Sequence, residues 1–204
     1  VYIGEQMTLT AFSAQGPKNY PVHLKDISET GSCRMCVVEI IGARALQAAC
    51  VYPVAEGIEV LTHSPKVKAA RKSTLELILS NHDRKCLTCS RNQKCELQKL
   101  SDELGVTDIA YEGVRNEYEI EASGTSIVRD NNKCVLCRRC INVCKNVQTV
   151  SVIDAQERGF ATKIGCAFEA NLADTACVNC GQCIVACPVG ALYERDDTDK
   201  VYEA

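Results

Sequence analysis

Hydrophobic and polar positions change period along these 204 residues, and each change predicts an element. In the first third, Cys36-Val37-Val38-Glu39-Ile40-Ile41, then Gly42-Ala43, then Arg44 to Val51 reads as a β-hairpin turning at the glycine. Pro53 and Gly57 punctuate its exit, and Ile58 to Leu61 predicts a short final strand. The period then becomes helical. Ser64-Pro65 is an N-cap followed by proline at the first helical position, ahead of a stripe of Val67, Ala70, Leu75, Ile78 and Leu79. Leu97, Leu100 and Leu104, closed by Gly105, predict a second short helix. Beyond residue 125 the strand signals are weak, at Ser151-Val152-Ile153 and Phe160-Ala161-Thr162, inside an insertion running from Gln148 to Thr175. Glu194 to Lys200 is polar and linker-like. The pattern predicts an α+β chain in three segments, 1–63, 64–124 and 125–204.

Composition explains why three small units fit better than one large core. Aromatic residues make up only 5% of the chain and tryptophan is absent, whereas cysteine occurs fifteen times. Metal ligation supplies folding free energy directly where apolar burial is short. Closely spaced cysteine pairs are ligands or redox groups more often than structural bridges. Such thiols must stay reduced, so the expected location is a reducing, anaerobic cytoplasm. A net charge of −3 excludes the basic footprint of a nucleic-acid binder. No apolar run approaches the ~20 residues of a membrane-spanning helix. The N-terminus, which opens on Val1 rather than Met, carries no signal-peptide pattern.

Eight cysteines fall into two copies of one spacing. Cys134, Cys137, Cys140 and Cys144 read C-x2-C-x2-C-x3-C, and Cys177, Cys180, Cys183 and Cys187 repeat it 43 residues later, with Pro188 following. A cubane cluster needs four thiolates converging from different directions, three from one tight loop and the fourth from the end of the other repeat. Cys134, Cys137, Cys140 and Cys187 are therefore expected to hold one [4Fe–4S], and Cys177, Cys180, Cys183 and Cys144 a second. Zinc takes tetrahedral sets and has no use for this spacing.

A third set lies earlier. His82-x3-Cys86-x2-Cys89-x5-Cys95 has three cysteines and lacks a fourth ligand, which His82 fills. Cys33, Cys36 and Cys50 form another group of three, behind a Glu29-Thr30-Gly31-Ser32 loop suited to wrapping a small cluster. Basic residues crowd two of these sets: Arg84, Lys85, Arg91 and Lys94 near the His82 group, and Lys133, Arg138, Arg139 and Lys145 near the first repeat. Cations beside an anionic cluster stabilise it and raise its potential. Cys166 lies outside every motif and reads as a small buried hydrophobe.

In this order the three units resemble the N-terminal electron-relay region of iron-only ([FeFe]) hydrogenases. They are also similar to the related iron–sulfur subunits of respiratory complex I and NAD-linked formate dehydrogenases. Gly31 to Glu39, Ala48 to Pro53, Thr175 to Cys183 and Gly190 to Glu194 carry the resemblance to the hydrogenase version. It implies a β-grasp plant-type ferredoxin-like unit at 1–63 with a [2Fe–2S] cluster. A small helical unit at 64–124, with one histidine and three cysteines as ligands, and a 2[4Fe–4S] bacterial ferredoxin-like unit at 125–204 would follow. The implied total is three [4Fe–4S] clusters and one [2Fe–2S].

The implied function is an electron relay to or from a hydrogen-activating site, linked to NAD(P) or ferredoxin, with no catalytic centre in these residues. The implied partners are a hydrogenase catalytic domain expected after residue 204, a flavin-containing NADH-oxidising subunit and a soluble ferredoxin. The alternative is a separate electron-transfer subunit of an NADH- or formate-oxidising complex. One departure stands out: Val22 occupies the position where the family carries its first [2Fe–2S] cysteine. His23, an exogenous ligand, a lost cluster and a fault in this stretch of sequence are the alternatives there.

Overall fold

The computed structural model describes residues 30–204. Val22, His23 and the N-terminal part of the expected β-grasp unit lie outside the described residues.

The predicted hairpin forms around β1 (Val37–Ile40), with β2 (Gln47–Ala48) on one side and β3 (Val60–Leu61) on the other, all antiparallel. Gly42 takes φ 87° at the turn, and the Ala43 N–H closes it on the Ile40 carbonyl. β2 is shorter than Arg44 to Val51, and only two residues of Ile58 to Leu61 pair. Val37, Val38 and Ile40 of β1 are buried, and Met35 before it is fully enclosed.

Helix α1 (Pro65–Ser80) begins where the cap signals place it, with Ser64 Oγ accepting from the Val67 N–H at 3.3 Å. Val67 and Leu75 are buried; Ala70, Ile78 and Leu79 are half-buried. A charged residue joins that face. Arg71 is buried, and its Nε and Nη2 donate to the Val37 carbonyl at 3.2 and 2.8 Å, fixing α1 to the β1 edge. Helix α2 (Glu96–Leu104) stops at Gly105 in the left-handed conformation, as Leu97, Leu100 and Leu104 predict.

The ferredoxin-like segment is framed by β4 (Ile127–Arg129) and β7 (Leu192–Glu194), paired antiparallel with Arg129 opposite Leu192. Between them come two short helices, α3 (Arg139–Asn142), which continues into a π-turn over Val143–Val147, and α4 (Gln182–Ala186). The insertion does form a hairpin, but β5 (Asp154–Gln156) and β6 (Lys163–Gly165) each begin three residues later than expected. Thr149 and Ser151 adopt left-handed backbone, which no strand accommodates, and Gly159–Ala161 close a 3₁₀ turn. The polar tail is also corrected. Glu194 pairs in β7, and Asp196 Oδ1 accepts from the Thr198 N–H to start helix α5 (Thr198–Glu203). One contiguous core of buried side chains runs from Cys33 to Leu192 and takes in cysteines of the N-terminal and ferredoxin-like groups.

Candidate metal centres

The two C-x2-C-x2-C loops fold alike. Leu136 and Asn179 take φ 53° and 52°, and Arg138 and Gly181 take 63° and 72°. Left-handed backbone costs a non-glycine residue about 1–2 kcal/mol, so local preference does not hold this shape. It turns N–H groups inward, toward sulfur: the Leu136 N–H reaches Cys134 Sγ at 3.4 Å. Cys33-Arg34-Met35 repeats the device, with Arg34 at φ 55° and the Met35 N–H on Cys33 Sγ at 3.5 Å. The third cysteine of each repeat rides on the short helix that follows, and the fourth leaves from its end.

That exit carries each fourth cysteine to the other repeat. Cys134, Cys137, Cys140 and Cys187 line one cavity. Cys144, Cys177, Cys180 and Cys183 line the other. Each cavity is thus lined by three cysteines of one repeat and the fourth cysteine of the other. Ile127 and Leu172 wall the second cavity with apolar surface, whereas Cys180 is exposed.

The His82 group is more open. His82, Cys86 and Cys95 line a common pocket. Cys89 is not on that wall; its Sγ abuts Gly190, where a methyl group would overlap it. Cys95 is the N-cap residue of α2; burial raises its thiol pKa, and the Leu97 and Gln98 N–H groups oppose the rise. His82 is buried, which pulls its pKa down to about 4 against the opposing charge of Asp83. The imidazole is therefore neutral, and its buried Nδ1 has no hydrogen-bond partner among the described residues. A neutral ring with an unsatisfied nitrogen, sharing a pocket with the Cys86 and Cys95 thiols, suits a metal.

Cys33, Cys36 and Cys50 are all buried together. Cys36 and Cys50 share a hydrogen bond that holds Cys36 down at about 6 and pushes Cys50 up. Cys33 is raised to about 12, by burial first, with Cys137 adding repulsion and Arg139 opposing it. Burial similarly raises Cys134 to about 12, and Cys137 and Cys183 to about 11. Thiols this reluctant to ionise in an apolar nest become good ligands only when a cation supplies the opposing charge. Cys166 is fully buried as expected, but it also receives Arg129 Nη1 at 3.7 Å.

The basic residues divide. Arg84, Lys85, Lys94, Arg138 and Lys145 are exposed. Arg139 is buried and forms a two-bond ion pair with Glu96, at 2.8 and 3.1 Å, and Arg91 donates to the Ile184 carbonyl at 2.6 Å. Lys133 pairs with the buried Asp130 at 2.9 Å. The buried charges Arg129, Asp130 and Arg71 gave no signal in the spacing. Glu96 could have been noticed as the acidic neighbour of Cys95.

Three family models match the chain. A 2Fe-2S iron-sulfur cluster binding domain matches residues 8–65. The iron-sulfur binding region of NADH-ubiquinone oxidoreductase-G matches 71–110, and a 4Fe-4S dicluster domain matches 133–191. The NADP-reducing hydrogenase subunit HndD of Solidesulfovibrio fructosivorans is 44% identical over 177 residues, 87% of this chain and 30% of that protein. The mitochondrial 78 kDa subunit of NADH-ubiquinone oxidoreductase from Candida albicans is 32% identical over 167 residues, 81% of this chain and 23% of that one. The chain thus spans less than a third of the curated relatives it matches. A solved structure of an NAD+-reducing [NiFe]-hydrogenase in the H2-reduced state matches with a TM-score of 0.84 and 28% identity, covering 97% of this chain and 84% of that one. No helix among the described residues is long and apolar enough to cross a membrane. The chain thus matches three iron–sulfur binding families in turn and is similar over most of its length to NAD(P)-linked hydrogenase and NADH-ubiquinone oxidoreductase subunits.

Proposed function

We propose that this chain is the branched electron relay of an [FeFe]-hydrogenase, with three [4Fe–4S] sites and one [2Fe–2S] site. The observation that carries this is the crossed pair of cysteine-lined cavities, each built from three cysteines of one repeat and the fourth of the other. Cys134, Cys137, Cys140 and Cys187 hold one cluster, and Cys144, Cys177, Cys180 and Cys183 the next. His82, Cys86, Cys89 and Cys95 hold the third. Cys33, Cys36 and Cys50 hold a [2Fe–2S] whose fourth ligand is not a cysteine of this sequence, because none precedes Cys33; His23 is the candidate. When bound, such clusters gain and lose single electrons without bond chemistry.

The protein residues fix the order of the sites. Glu96 next to Cys95 is clamped by Arg139 next to Cys140, and Cys89 lies against Gly190, three residues past Cys187. Cys33 of the N-terminal group also lies within reach of the Cys137 and Arg139 charges. Two entry branches therefore meet at the Cys134 set, and the Cys177 set, with Cys180 exposed, forms the exit. The three segments 1–63, 64–124 and 125–204 correspond to a β-grasp unit, a unit with histidine and three cysteines as ligands, and a 2[4Fe–4S] unit. The partners are a hydrogenase catalytic domain or subunit and a flavin-containing NADH-oxidising subunit or soluble ferredoxin, in the cytoplasm.

One observation favours a second reading. The [NiFe]-hydrogenase structure matches chain to chain, at 97% and 84%, which suits a separate electron-transfer subunit. Sequencing the gene past the codon for Ala204 separates the two, since only the first requires further cysteine motifs for a hydrogen-activating centre. The relay itself is tested by stepwise anaerobic reduction followed optically. Uptake of about one electron per cluster, about four per chain, is expected; uptake of less than about one electron per chain contradicts it.

A further inference from the structure

Arg129 and its strand partner Leu192 line both cysteine cavities and so form the septum between them. The arginine is buried, with 8% exposure, which is costly for a cation unless it is well paired. Its pairing among the described residues is thin. Glu121 Oε2 lies 3.7 Å from Nη2, too far for a hydrogen bond, and that oxygen has no hydrogen-bond partner among them either. The acceptor at Nη1 is the Cys166 sulfur at 3.7 Å. Nε is buried and has no partner among the described residues. Glu121 is itself held in place by the Leu172 N–H and Ser123, so it is not free to close the gap. On the Cys134 side its charge favours the thiolate, against the burial that raises that thiol.

We propose that Arg129 is a positioning residue shared by the two cubane sites of the ferredoxin-like segment. Its unsatisfied N–H groups donate to sulfur at the septum, and its charge raises the reduction potential of both sites together. This inference rests on the two cavities holding [4Fe–4S] clusters. A guanidinium suits the position because it presents several donors on one plane and stays ionised. Cys166 and Glu121 act by orienting it, which gives the cysteine outside every motif a role without making it a ligand. A single cation between two anionic centres favours an added electron on either side.

The test is potentiometric titration of the anaerobically loaded full-length protein, followed by electron paramagnetic resonance, alongside iron content. Arg129→Gln is expected to keep its iron while both signals of the ferredoxin-like segment move to lower potential. The His82-site signal, whose pocket Arg129 does not line, should stay in place as an internal reference. Arg129→Lys keeps the charge but loses the planar fork, and should shift both signals by a smaller amount. Unchanged potentials in Arg129→Gln, or movement of only one of the two signals, overturn the proposal. If Arg129→Gln does not fold, Arg129→Lys decides: potentials equal to wild type overturn it. A wild-type protein that binds no iron at these cysteines overturns the relay proposal as well.

Discussion

Arg139 and Glu96 form a two-bond ion pair at 2.8 and 3.1 Å, joining the residue before Cys140 to the residue after Cys95. The pair locks the His82 unit onto the first ferredoxin-like repeat, and a rigid relay needs such a lock because its separations must not drift. Arg139 is buried, whereas the Glu96 side chain is 31% exposed. Glu96→Ala leaves the guanidinium with the Ala186 carbonyl but without this carboxylate. The expected destabilisation is roughly 2–4 kcal/mol, below the fully buried range because Glu96 is partly solvated. Thermal unfolding of the anaerobic protein measures it, and an unchanged midpoint contradicts the lock.

Gly190 marks a second contact between the same two units. A methyl there would overlap Cys89 Sγ, with Lys133 and Ser90 close behind. Gly190→Ala should displace Cys89 and cost about 1–3 kcal/mol through overpacking. The expected signature is loss of the resonance signal of the His82 site, with the signals of the two ferredoxin-like sites retained. Retention of all signals at wild-type intensity contradicts the close approach.

Much of this architecture was legible in the sequence, for identifiable reasons. The caps Ser64-Pro65 and Gly105 are local chemistry, so both helices begin or end where the residues place them. The repeated cysteine spacing is also local, and each of two cavities is lined by three cysteines of one repeat and the fourth of the other. The insertion hairpin was displaced because Ser151 and Thr149 look strand-compatible by composition while their backbones turn left-handed. The tail helix was missed because Thr198 to Glu203 is too short and polar to show a periodic face. Arg71, Arg129 and Arg139 are buried by long-range partners, Val37, Cys166 and Glu96, which no local pattern announces.

Crossed ligation gives a sharp substitution test. Cys144 lines the cavity of Cys177, Cys180 and Cys183 rather than that of its own repeat. Cys144→Ser should remove or alter the signal of the second-repeat site and leave that of Cys134, Cys137, Cys140 and Cys187 in place. Loss confined to the Cys134 site contradicts the crossing.

His82 offers a test of sign. Its buried, neutral imidazole brings no negative charge, unlike a thiolate ligand. His82→Cys adds a thiolate, so the site should keep its cluster and titrate at lower potential. A potential equal to or above wild type contradicts His82 as the ligand.

Fourteen cysteines and His82 are proposed to hold four iron–sulfur clusters, and everything else in the relay depends on this. Iron and acid-labile sulfide per chain, measured on anaerobically reconstituted protein together with the Mössbauer spectrum, test it most directly. The expected result is about 14 irons and about 14 sulfides, resolved as three [4Fe–4S] and one [2Fe–2S] component. A protein saturated with zinc, or one holding fewer than about eight irons, contradicts it.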